Sequence, residues 1–442
     1  MITRKFKWAP GILIFLLLIL FYAVTVTQVR VTFSSSPSVA TLSQPTIPPP
    51  GSLIVPDDYP TIQAAIGNAS AGGTVFVRTG IYNERITIDK PLSLIGEERQ
   101  NTVIGGAPIL SFTTSFAIKV TSENVIISGF TIKNDSTGIW VDLKNYQLPQ
   151  PSRCKIIGNN IENNLAEGIS IQNGENYVIS GNNIKGNGGH GISVTSSNSI
   201  ISENNITENG YTTDFGGTGI SAYNGKLTIS NNKISNNAGG LELWNGPFDI
   251  YGNNITENRE YGVQFADGCS NTPVHDNNIM HNGVGIDLKN FATETAPLGS
   301  GNMVYRNNLG DNIHQVVVNK KWAYDKGANL PSSNGTDVVS WDSDGEGNYW
   351  SDYLTKNPHA AEVDASGIGN ELYVIDESNV DHYPLMNSVG ISKGSPSTPF
   401  SNSMLMVIVV VVVVVILSVA LLVYWIRKGA KSSPPATSLA KP

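Results

Sequence analysis

The sequence predicts an all-β protein folded as a parallel β-helix, in which short strands from successive repeats stack into long sheets. The chain has 442 residues, and 14% of them are charged, well below the roughly 25% of an average globular protein. It contains 44 Gly and 46 Asn, and both residue types favour turns. This turn density excludes a long helical bundle, and a countable repeat supplies the more specific evidence.

An asparagine recurs every 21 to 30 residues through the middle of the chain, and a second asparagine follows each of the first set after five residues. Each of the first set lies in an Ile-x-x-Asn-x-Ile pattern, with Val or Leu at a few apolar positions. The first set is Asn159, Asn182, Asn204, Asn232, Asn253, Asn277 and Asn307; the second is Asn164, Asn187, Asn209, Asn237, Asn258, Asn282 and Asn312. A second apolar alternation then follows in most repeats, so each repeat contains at least two short strands separated by turns.

Strands this short cannot form a sheet alone, but stacking equivalent strands about 4.8 Å apart gives long parallel sheets around an apolar interior. We expect both asparagine sets to be structural ladders, because Asn tolerates left-handed backbone angles at a corner and its amide can bond to the next Asn in the stack. A leucine-rich-repeat horseshoe has a similar repeat length and one Asn per repeat. Here, however, Ile replaces Leu, and the second half of each repeat has a strand pattern.

The predicted ectodomain covers residues 53–387, with the clearest repeats at 124–320 and a closing segment at 330–387. Near its start, residues 60–66 have the apolar spacing of a helix, and proline is tolerated in a first helical turn. Because open sheet ends need covering, we expect this N-terminal helix to cap the first coil.

The two ends of the chain predict export and membrane anchoring. Residues 1–32 have a basic start and an uncharged apolar run, as in a signal or signal-anchor segment. Residues 404–426 are long enough to cross a hydrocarbon core of ~30 Å, and the basic start of residues 427–442 predicts a cytoplasmic tail. Linkers rich in Ser and Pro, at 33–52 and 388–403, separate these segments from the ectodomain. We expect a cell-membrane protein whose ectodomain lies outside, held by the C-terminal helix and, if it is not cleaved, the N-terminal segment.

Charge and cysteine content narrow the range of ligands. The net charge is −8, and no basic run interrupts the middle of the chain, which argues against nucleic acid as a partner. Two cysteines exclude a disulfide scaffold and a four-cysteine zinc site. These patterns require no cofactor, but they leave a calcium site or a copper site as alternatives.

Several stretches resemble known β-helix proteins. Tyr-Pro-Thr-Ile-Gln-Ala-Ala-Ile at 59–66, Gly-Thr-Val-Phe-Val at 73–77 and Gly-Ile-Tyr-Asn-Glu at 80–84 resemble the opening of pectin-esterase-like β-helices. The repeats resemble the NosD-type family in the carbohydrate-binding and sugar-hydrolase (CASH) group, and Gly-Asn-Tyr-Trp-Ser-Asp-Tyr at 347–353 resembles the closing segment of archaeal surface members that carry a C-terminal membrane anchor.

This resemblance covers about residues 53 to 387 and implies a right-handed, pectin-lyase-like solenoid in an extracytoplasmic, often surface-anchored protein. For NosD itself it also implies copper-enzyme maturation. It brings no catalytic set, because the Asp-Phe-Ile-Phe-Gly and Leu-Gly-Arg-Pro-Trp motifs that mark active pectin esterases are missing from the sequence.

The outward-facing side chains of the second strand in each repeat contain the candidate site. Tyr223 and Trp244 are predicted to lie on adjacent coils, and with Trp140 and Gln264 they would suit binding of a sugar ring. Glu242 and Asp287 are predicted to lie two coils apart, or about 9 to 10 Å between backbones. Inverting glycosidases hold their two carboxyl groups roughly 6.5 to 9.5 Å apart, so this pair is the catalytic candidate. The plain alternative is a solvated sheet face, since outward positions must be polar in any case.

Metal candidates fall into two groups. Calcium would use the alternating oxygen ligands of an Asp-Ser-Asp-Gly-Glu turn, although Tyr353 stands where an EF-hand has its bidentate Glu. Copper is implied by the NosD resemblance, and soft ligands that straddle one corner could bind Cu(I). The calcium candidates are Asp342, Asp344 and Glu346, and the copper candidates are His275, Met280 and His281. A polar turn and solvated histidines are the simpler alternatives.

Together these patterns predict a cell-surface, membrane-anchored β-helix protein that binds carbohydrate without catalysis or serves as a structural envelope protein. Its expected partners are the membrane and extracellular or envelope glycans. A glycoside hydrolase acting on polysaccharide along the outer face is the enzymatic alternative, and NosD-like periplasmic copper handling is the second alternative.

Overall fold

The computed structural model describes residues 47–105, 115–143, 153–211, 216–289, 299–319 and 339–391. The predicted signal segment, membrane helix and cytoplasmic tail lie outside these residues, as do most of the two linkers. Within them, no helix is both long and apolar enough to span a membrane.

The described residues form short strands with only two helices among them. The first part contains β1 (Leu53–Val55), α1 (Ile62–Asn68), β2 (Gly73–Val77), β3 (Gly80–Tyr82), β4 (Ile86–Ile88), β5 (Leu92–Gly96), β6 (Thr102–Gly105), β7 (Phe116–Val120), β8 (Ile126–Ser128) and β9 (Thr131–Lys133). The next part contains β10 (Thr137–Asp142), β11 (Lys155–Ile157), β12 (Asn160–Glu162), β13 (Ile169–Glu175), β14 (Val178–Ser180), β15 (Asn183–Lys185), β16 (Ile192–Ser197), β17 (Ser199–Ser202), β18 (Asn205–Thr207), β19 (Thr218–Tyr223), β20 (Leu227–Ser230) and β21 (Lys233–Ser235). The last part contains β22 (Gly239–Trp244), β23 (Phe248–Tyr251), β24 (Asn254–Thr256), β25 (Tyr261–Phe265), β26 (Pro273–His275), β27 (Asn278–Met280), β28 (Val284–Lys289), β29 (Met303–Tyr305), β30 (Asn308–Gly310), β31 (His314–Asn319), β32 (Tyr349–Trp350), α2 (Tyr353–Lys356), β33 (Tyr373–Val374) and β34 (Val380–Asp381).

These strands build three long parallel sheets, and successive strands along the chain belong to different sheets. Sheet 1 has 11 strands in the order β1-β2-β5-β8-β11-β14-β17-β20-β23-β26-β29. Sheet 2 has 10 strands, β4-β7-β10-β13-β16-β19-β22-β25-β28-β31, and sheet 3 has 11, β3-β6-β9-β12-β15-β18-β21-β24-β27-β30-β32. Strands β33 and β34 form a separate antiparallel pair. The predicted all-β, parallel β-helix architecture is confirmed, and the horseshoe alternative is excluded.

The core lies between the three sheets and consists of apolar side chains stacked in register. In sheet 2, for example, Ile192 pairs with Ile220 and Ile220 with Leu241, and all three side chains are fully buried. Burying one such side chain stabilises a fold by about 1.5–3 kcal/mol. Because each coil adds equivalent apolar residues to the same rows, neighbouring coils stabilise one another.

The two asparagine sets form continuous hydrogen-bond ladders inside the coils, along the corners between sheets. Asn232 illustrates the pattern: its amide nitrogen donates to Asn253 Oδ1 at 3.0 Å and to the carbonyls of Ile201 and Ser230 at 2.9 and 3.1 Å. Its own Oδ1 accepts from the backbone N–H and the amide of Asn204, both at 3.0 Å. The ladder therefore satisfies polar groups that the corner would otherwise bury without partners.

One detail of the ladder prediction is corrected by the structure. The left-handed backbone angle belongs to the residue before each ladder asparagine, with φ between 52° and 66° at all fourteen corners. The ladder asparagines themselves are not in that region. The left-handed residue turns the chain so that the next side chain points into the interior. Gly, Asn and Asp fill many of these corners because they tolerate such angles best.

The first ladder continues one step further than its sequence pattern indicates. Asn307 donates to Asn348 Oδ1 at 3.0 Å, and the backbone N–H of Asn348 donates to the Asp381 carboxylate at 2.8 Å. Trp350 Nε1 also donates to that carboxylate at 2.8 Å. Burial raises the pKa of Asp381 to about 6, while these hydrogen bonds oppose the shift. The closing segment is therefore tied directly into the end of the ladder.

The predicted N-terminal helix is present as α1, two residues later than its sequence pattern. Thr61 is its N-cap and accepts from the Ala64 N–H at 3.1 Å, and the Glu84 carboxylate accepts from the N–H groups of Ile62 and Gln63. Ile62 and Ile66 are fully buried, and the helix contacts β1, β2 and β4. Its role as a cap of the first coil stays a prediction.

Replacing Asn232 with Ala should lower the free energy of unfolding by about 2–4 kcal/mol, because it leaves several buried donors and acceptors unpaired. Chemical denaturation of the two proteins measures this difference. Lys233→Ala is the matched control, since Lys233 is the exposed neighbour and its loss should change stability by less than about 0.5 kcal/mol. Equal stability of the Asn232 and Lys233 variants would contradict a structural role for the ladder.

Candidate functional site

The candidate site lies on the outer face of sheet 2, where strand register places side chains from successive coils in columns. Trp140 is aligned with Ser170, Ser170 with Ser193, and Ser193 with Ser221. Ser221 is aligned with Glu242, Glu242 with Gln264, and Gln264 with Asp287. The register expected for this column is therefore observed.

An aromatic pair stands beside this column. Tyr223 and Trp244 are direct register partners on β19 and β22, and their rings stack with centroids 5.7 Å apart and planes inclined by 12°. Both side chains are half-buried. The register fixes their backbones and the stack fixes their rings, so the pair presents a preorganised aromatic surface to solvent.

Trp140 forms a second aromatic surface on the same sheet. Its ring stacks on Phe116 with centroids 4.5 Å apart, and Lys119 Nζ lies 5.1 Å from the ring centroid. Three strand steps separate β10 from β19 in sheet 2, which corresponds to about 14 Å along the stack. Trp140 therefore belongs to the same face as Tyr223 but does not contact it.

The floor between the two aromatic surfaces is made of serines. Ser170, Ser193 and Ser221 occupy consecutive strands, and we call these three residues the serine trough. Ser193 is half-buried, whereas Ser170 and Ser221 are 8% and 0% exposed. Trp140 precedes this row in register and Glu242 follows it, while Tyr223 lies two residues along β19 from Ser221.

A polar row at the start of the strands borders the trough, and the sequence analysis did not identify it. Thr137 Oγ1 donates to Glu167 Oε2 at 3.1 Å. On the next two coils, the Thr218 N–H donates to His190 Nδ1 at 3.1 Å. The residue immediately before the Gly that opens the strand pattern is Glu167, His190 or Thr218 in successive repeats. This position in the repeat could therefore have indicated the polar row.

His190 is held as a neutral imidazole with one defined tautomer. Because Nδ1 accepts the Thr218 N–H, the ring proton is on Nε2. Burial lowers the pKa of His190, although the carboxylates of Glu242 and Glu167 oppose this shift. At neutral pH, His190 therefore offers an N–H donor next to two carboxylates.

Glu242 is the more accessible of the two carboxylates predicted as a catalytic pair. It is half-buried and accepts a hydrogen bond from Ser221 Oγ at 2.9 Å. The neighbouring Tyr261 ring lies over Gly239, where an added Cβ would come within 2.6 Å of the ring. Burial, with Glu242 as the next contribution, raises the pKa of Tyr261 well above its usual value, so its hydroxyl stays protonated.

Gln264 and Asp287 are placed less favourably than the sequence pattern suggested. Gln264 is 1% exposed and donates to Asp287 Oδ2 at 2.7 Å, while Asp287 is 7% exposed. The two side chains bind each other beneath the surface, which argues against direct sugar contact by Gln264. The two-strand separation of Glu242 and Asp287 is as expected, but only Glu242 is readily reached from solvent.

Two of the three calcium candidates are engaged by neighbouring side chains. Arg306 Nη1 pairs with the Glu346 carboxylate, and His382 Nδ1 lies 2.9 Å from Asp342 Oδ2. Asp344 is exposed with a left-handed φ of 52°. Two of the three proposed oxygen donors are therefore already paired, and the segment is a polar turn tied to its neighbours.

The copper candidates lie on different sheets. His275 ends β26 in sheet 1, whereas Met280 ends β27 in sheet 3 and His281 lies at the left-handed corner that follows. Both ring nitrogens of His275 face carboxylates, with Nδ1 2.8 Å from Asp276 and Nε2 3.3 Å from Asp249. In the part of the chain that the structure describes, no group of three or more His, Cys, Asp or Glu is arranged to hold a metal ion.

His275 instead forms the centre of an aromatic stack on sheet 1. Its ring lies between those of Tyr251 and Tyr305, with centroid distances of 5.5 and 5.1 Å. Burial opposes protonation, but the hydrogen bonds to Asp249 and Asp276 prevail and raise the pKa of His275. The folded protein therefore favours the imidazolium.

This raised pKa predicts a pH-dependent contribution to stability. Because the folded state binds the proton more tightly, the contribution is fully present below the usual His pKa of about 6.5 and is lost as pH rises through the higher folded value. The stability difference between the native protein and His275→Gln should therefore shrink between pH 5.5 and pH 8.5. Denaturation at both pH values measures it. A difference that is constant or grows with pH would contradict the assigned ion pairs.

Comparisons with known proteins support the architecture. The model of the right-handed β-helix region matches residues 98–248, 147–309 and 208–336, which together span more than half of the chain. No curated protein matches the sequence.

Several solved structures are similar in fold at low sequence identity. The enzymatically active domain of bacteriophage CBA120 tailspike protein 2 is 12% identical, with 65% of this chain and 44% of that chain covered and a TM-score of 0.40. Alginate lyase from Paenibacillus sp. str. FPU-7 is 16% identical, with 54% and 94% covered and a TM-score of 0.37. Pectate lyase Pel9A is 14% identical, with 58% and 72% covered and a TM-score of 0.42. The matched region thus spans less than half the length of the tailspike domain.

These similarities concern the fold alone. The predicted right-handed coil is confirmed by the family match, which extends from residue 98 to residue 336. The chain belongs to the right-handed β-helix family.

Proposed function

We propose that the outer face of sheet 2 binds a carbohydrate chain that runs along the axis of the β-helix. The observation that carries this proposal is the stacked, half-exposed pair of Tyr223 and Trp244 beside the Glu242 carboxylate. Aromatic rings provide apolar faces for the C–H surface of a sugar, and neighbouring polar groups orient its hydroxyls.

The serine trough supports an extended ligand instead of a single sugar. Trp140 lies at its far end, about three strand steps or 14 Å from Tyr223. A chain laid between these aromatic surfaces would meet the hydroxyl of Ser193 on the floor and the donor and acceptor groups of His190 and Glu167 at the border. Each of these groups can hydrogen-bond to a sugar hydroxyl.

Binding without cleavage is the form of this proposal that the site geometry favours. Glycoside hydrolysis needs two carboxyl groups that both reach the scissile bond or its attacking water. Glu242 is accessible, but Asp287 is nearly buried and accepts the Gln264 amide. We therefore assign Glu242 to binding and treat hydrolysis as the alternative outcome of the binding experiment.

Trp244→Ala should weaken polysaccharide binding at least about tenfold, which corresponds to 1.4 kcal/mol, without a loss of folded structure. The full chain in detergent would be incubated with neutral and acidic polysaccharides and separated by size-exclusion chromatography, with protein and polymer detected together. Tyr383→Ala is the matched control, because Tyr383 is an exposed aromatic residue (42%) in the closing segment, away from sheet 2.

Each outcome of that experiment has a defined meaning. Co-elution with intact polymer, lost in Trp244→Ala and kept in Tyr383→Ala, supports the proposed face. Shortened polymer would replace the binding assignment with an enzymatic one and make Glu242 the first residue to change. Undiminished binding by Trp244→Ala, or no binding to any polymer by the native protein, would overturn the proposal.

We also propose that the protein is exported and held at the cell surface by residues 404–426, as in the archaeal-type members of the NosD and CASH group that its motifs resemble. The support is the sequence itself: an uncharged run of 23 residues followed by basic residues, the pattern of a membrane span with a cytoplasmic tail. On this proposal, sheet 2 faces extracellular or envelope glycans.

Deleting residues 404–442 should move the protein from the membrane fraction to the soluble fraction or the medium. Fractionation followed by immunodetection measures this, and deletion of residues 432–442 alone is the control because it keeps the apolar run and Arg427, Lys428 and Lys431. Retention of the shortened protein in membranes would show that this segment is not its sole anchor, and a soluble full chain would contradict anchoring.

A further inference from the structure

A polar concavity of about 470 Å³ lies where the stack of coils meets the closing segment. One wall is the turn before β31 and the beginning of that strand, and the other is formed by Ser351, Asp352 and Lys356 with Tyr373 behind them. β31 is the last strand of sheet 2 and lies three strand steps beyond β22, which bears Trp244. The concavity is therefore separate from the proposed glycan face.

A three-residue cluster holds one wall rigid. Lys356 Nζ donates to Tyr373 Oη at 2.6 Å and lies 3.2 Å from Asp352 Oδ2, while Tyr373 Oη donates to Asp352 Oδ1 at 3.0 Å. The Tyr373 ring stacks on Trp350 with centroids 4.0 Å apart and planes inclined by 7°. Lys356 uses two of its three N–H donors in this way, which leaves the third for a ligand.

Further polar groups line the concavity, on Ser351 beside this cluster and on the opposite wall before β31. Ser351 Oγ accepts from the Asp311 backbone N–H at 3.0 Å and from Gln315 Nε2 at 3.1 Å, so its own proton remains available to donate. The side chains of Asp311 and His314 are exposed, and neither has a hydrogen-bond or ion-pair partner among the described residues. Ile313, 80% exposed, adds an apolar surface at the mouth.

The balance of charge determines which ligands fit. The Asp311 carboxylate disfavours an anion, whereas Lys356 is paired with Asp352 and contributes a hydrogen-bond donor instead of a net positive charge. A sugar hydroxyl both donates and accepts, so a neutral polyhydroxylated molecule can use the Asp311 carboxylate, the third Lys356 N–H and the Ser351 hydroxyl together. A pocket of this volume lies within the usual range for small-molecule sites.

We propose that this concavity is a second binding site, which takes a neutral mono- or disaccharide at the C-terminal end of the β-helix. Asp311 accepts from ligand hydroxyls, Lys356 and Ser351 donate to ligand oxygens, and Ile313 covers an apolar edge of the sugar. This site does not depend on the proposed function of the sheet 2 face.

The test is titration calorimetry of the full chain in detergent with a panel of neutral mono- and disaccharides, glucuronate and glucosamine. A neutral sugar should bind the native protein, and Asp311→Asn should weaken it at least about tenfold because a charged acceptor is lost. Ile313→Trp should have a similar effect by filling the mouth. Asp311 and Ile313 are exposed, so both variants should fold, as unchanged unfolding midpoints would show.

Trp244→Ala separates this site from the sheet 2 face and should leave the affinity for small neutral sugars unchanged. If Trp244→Ala abolishes that binding while Asp311→Asn and Ile313→Trp retain it, the sugar binds at sheet 2 and the second site is disproved. Tighter binding of glucuronate or glucosamine than of every neutral sugar would overturn the assigned ligand class. Failure of the native protein to bind any small neutral sugar would reject the site outright.

Discussion

The hydrogen bond from one buried asparagine amide to the next is the interaction on which the rest of this structure depends. A β-helix turns its backbone sharply at every corner, and each turn brings polar groups into an apolar interior. Asn232 shows how the ladder resolves this, since it serves the amide of Asn204, the carboxamide of Asn253 and two backbone carbonyls at once. Because each rung satisfies the next, corners of successive coils stay aligned.

Alignment at the corners fixes register, and register creates the candidate site. Tyr223 and Trp244 are separated by 21 positions in sequence yet become direct neighbours, since β19 and β22 pair without offset. The same register places Ser193 between Ser170 and Ser221 as a floor. A shift of one residue would turn these side chains into the core. The geometry of the candidate binding face therefore depends on the ladders beneath it.

The last coil is also held by buried hydrogen bonds, but there the acceptor is a carboxylate instead of an asparagine. Asn348 continues the first ladder, and the buried Asp381 carboxylate accepts its last rung. Trp350, which also donates to Asp381, carries the Tyr373 ring on its face. The residues that end the stack thus position the polar cluster that lines the concavity beside α2.

Repeat length, both asparagine ladders and the outward column could be predicted from the sequence, because each depends on local periodicity that every coil repeats. The pattern indicated at least two strands per coil, and the structure has three. The burial of Gln264 against Asp287 and the pairing of His190 with Thr218 could not be predicted in this way. Periodicity states which way a side chain leaves the backbone, but not which neighbours it meets. The left-handed residue before each ladder asparagine was missed for the same reason. Local periodicity is therefore enough to specify the coil and the faces it presents. Which polar groups the fold uses, and which remain for a ligand, depends on contacts between residues one or more coils apart, and these contacts exist only in the folded chain.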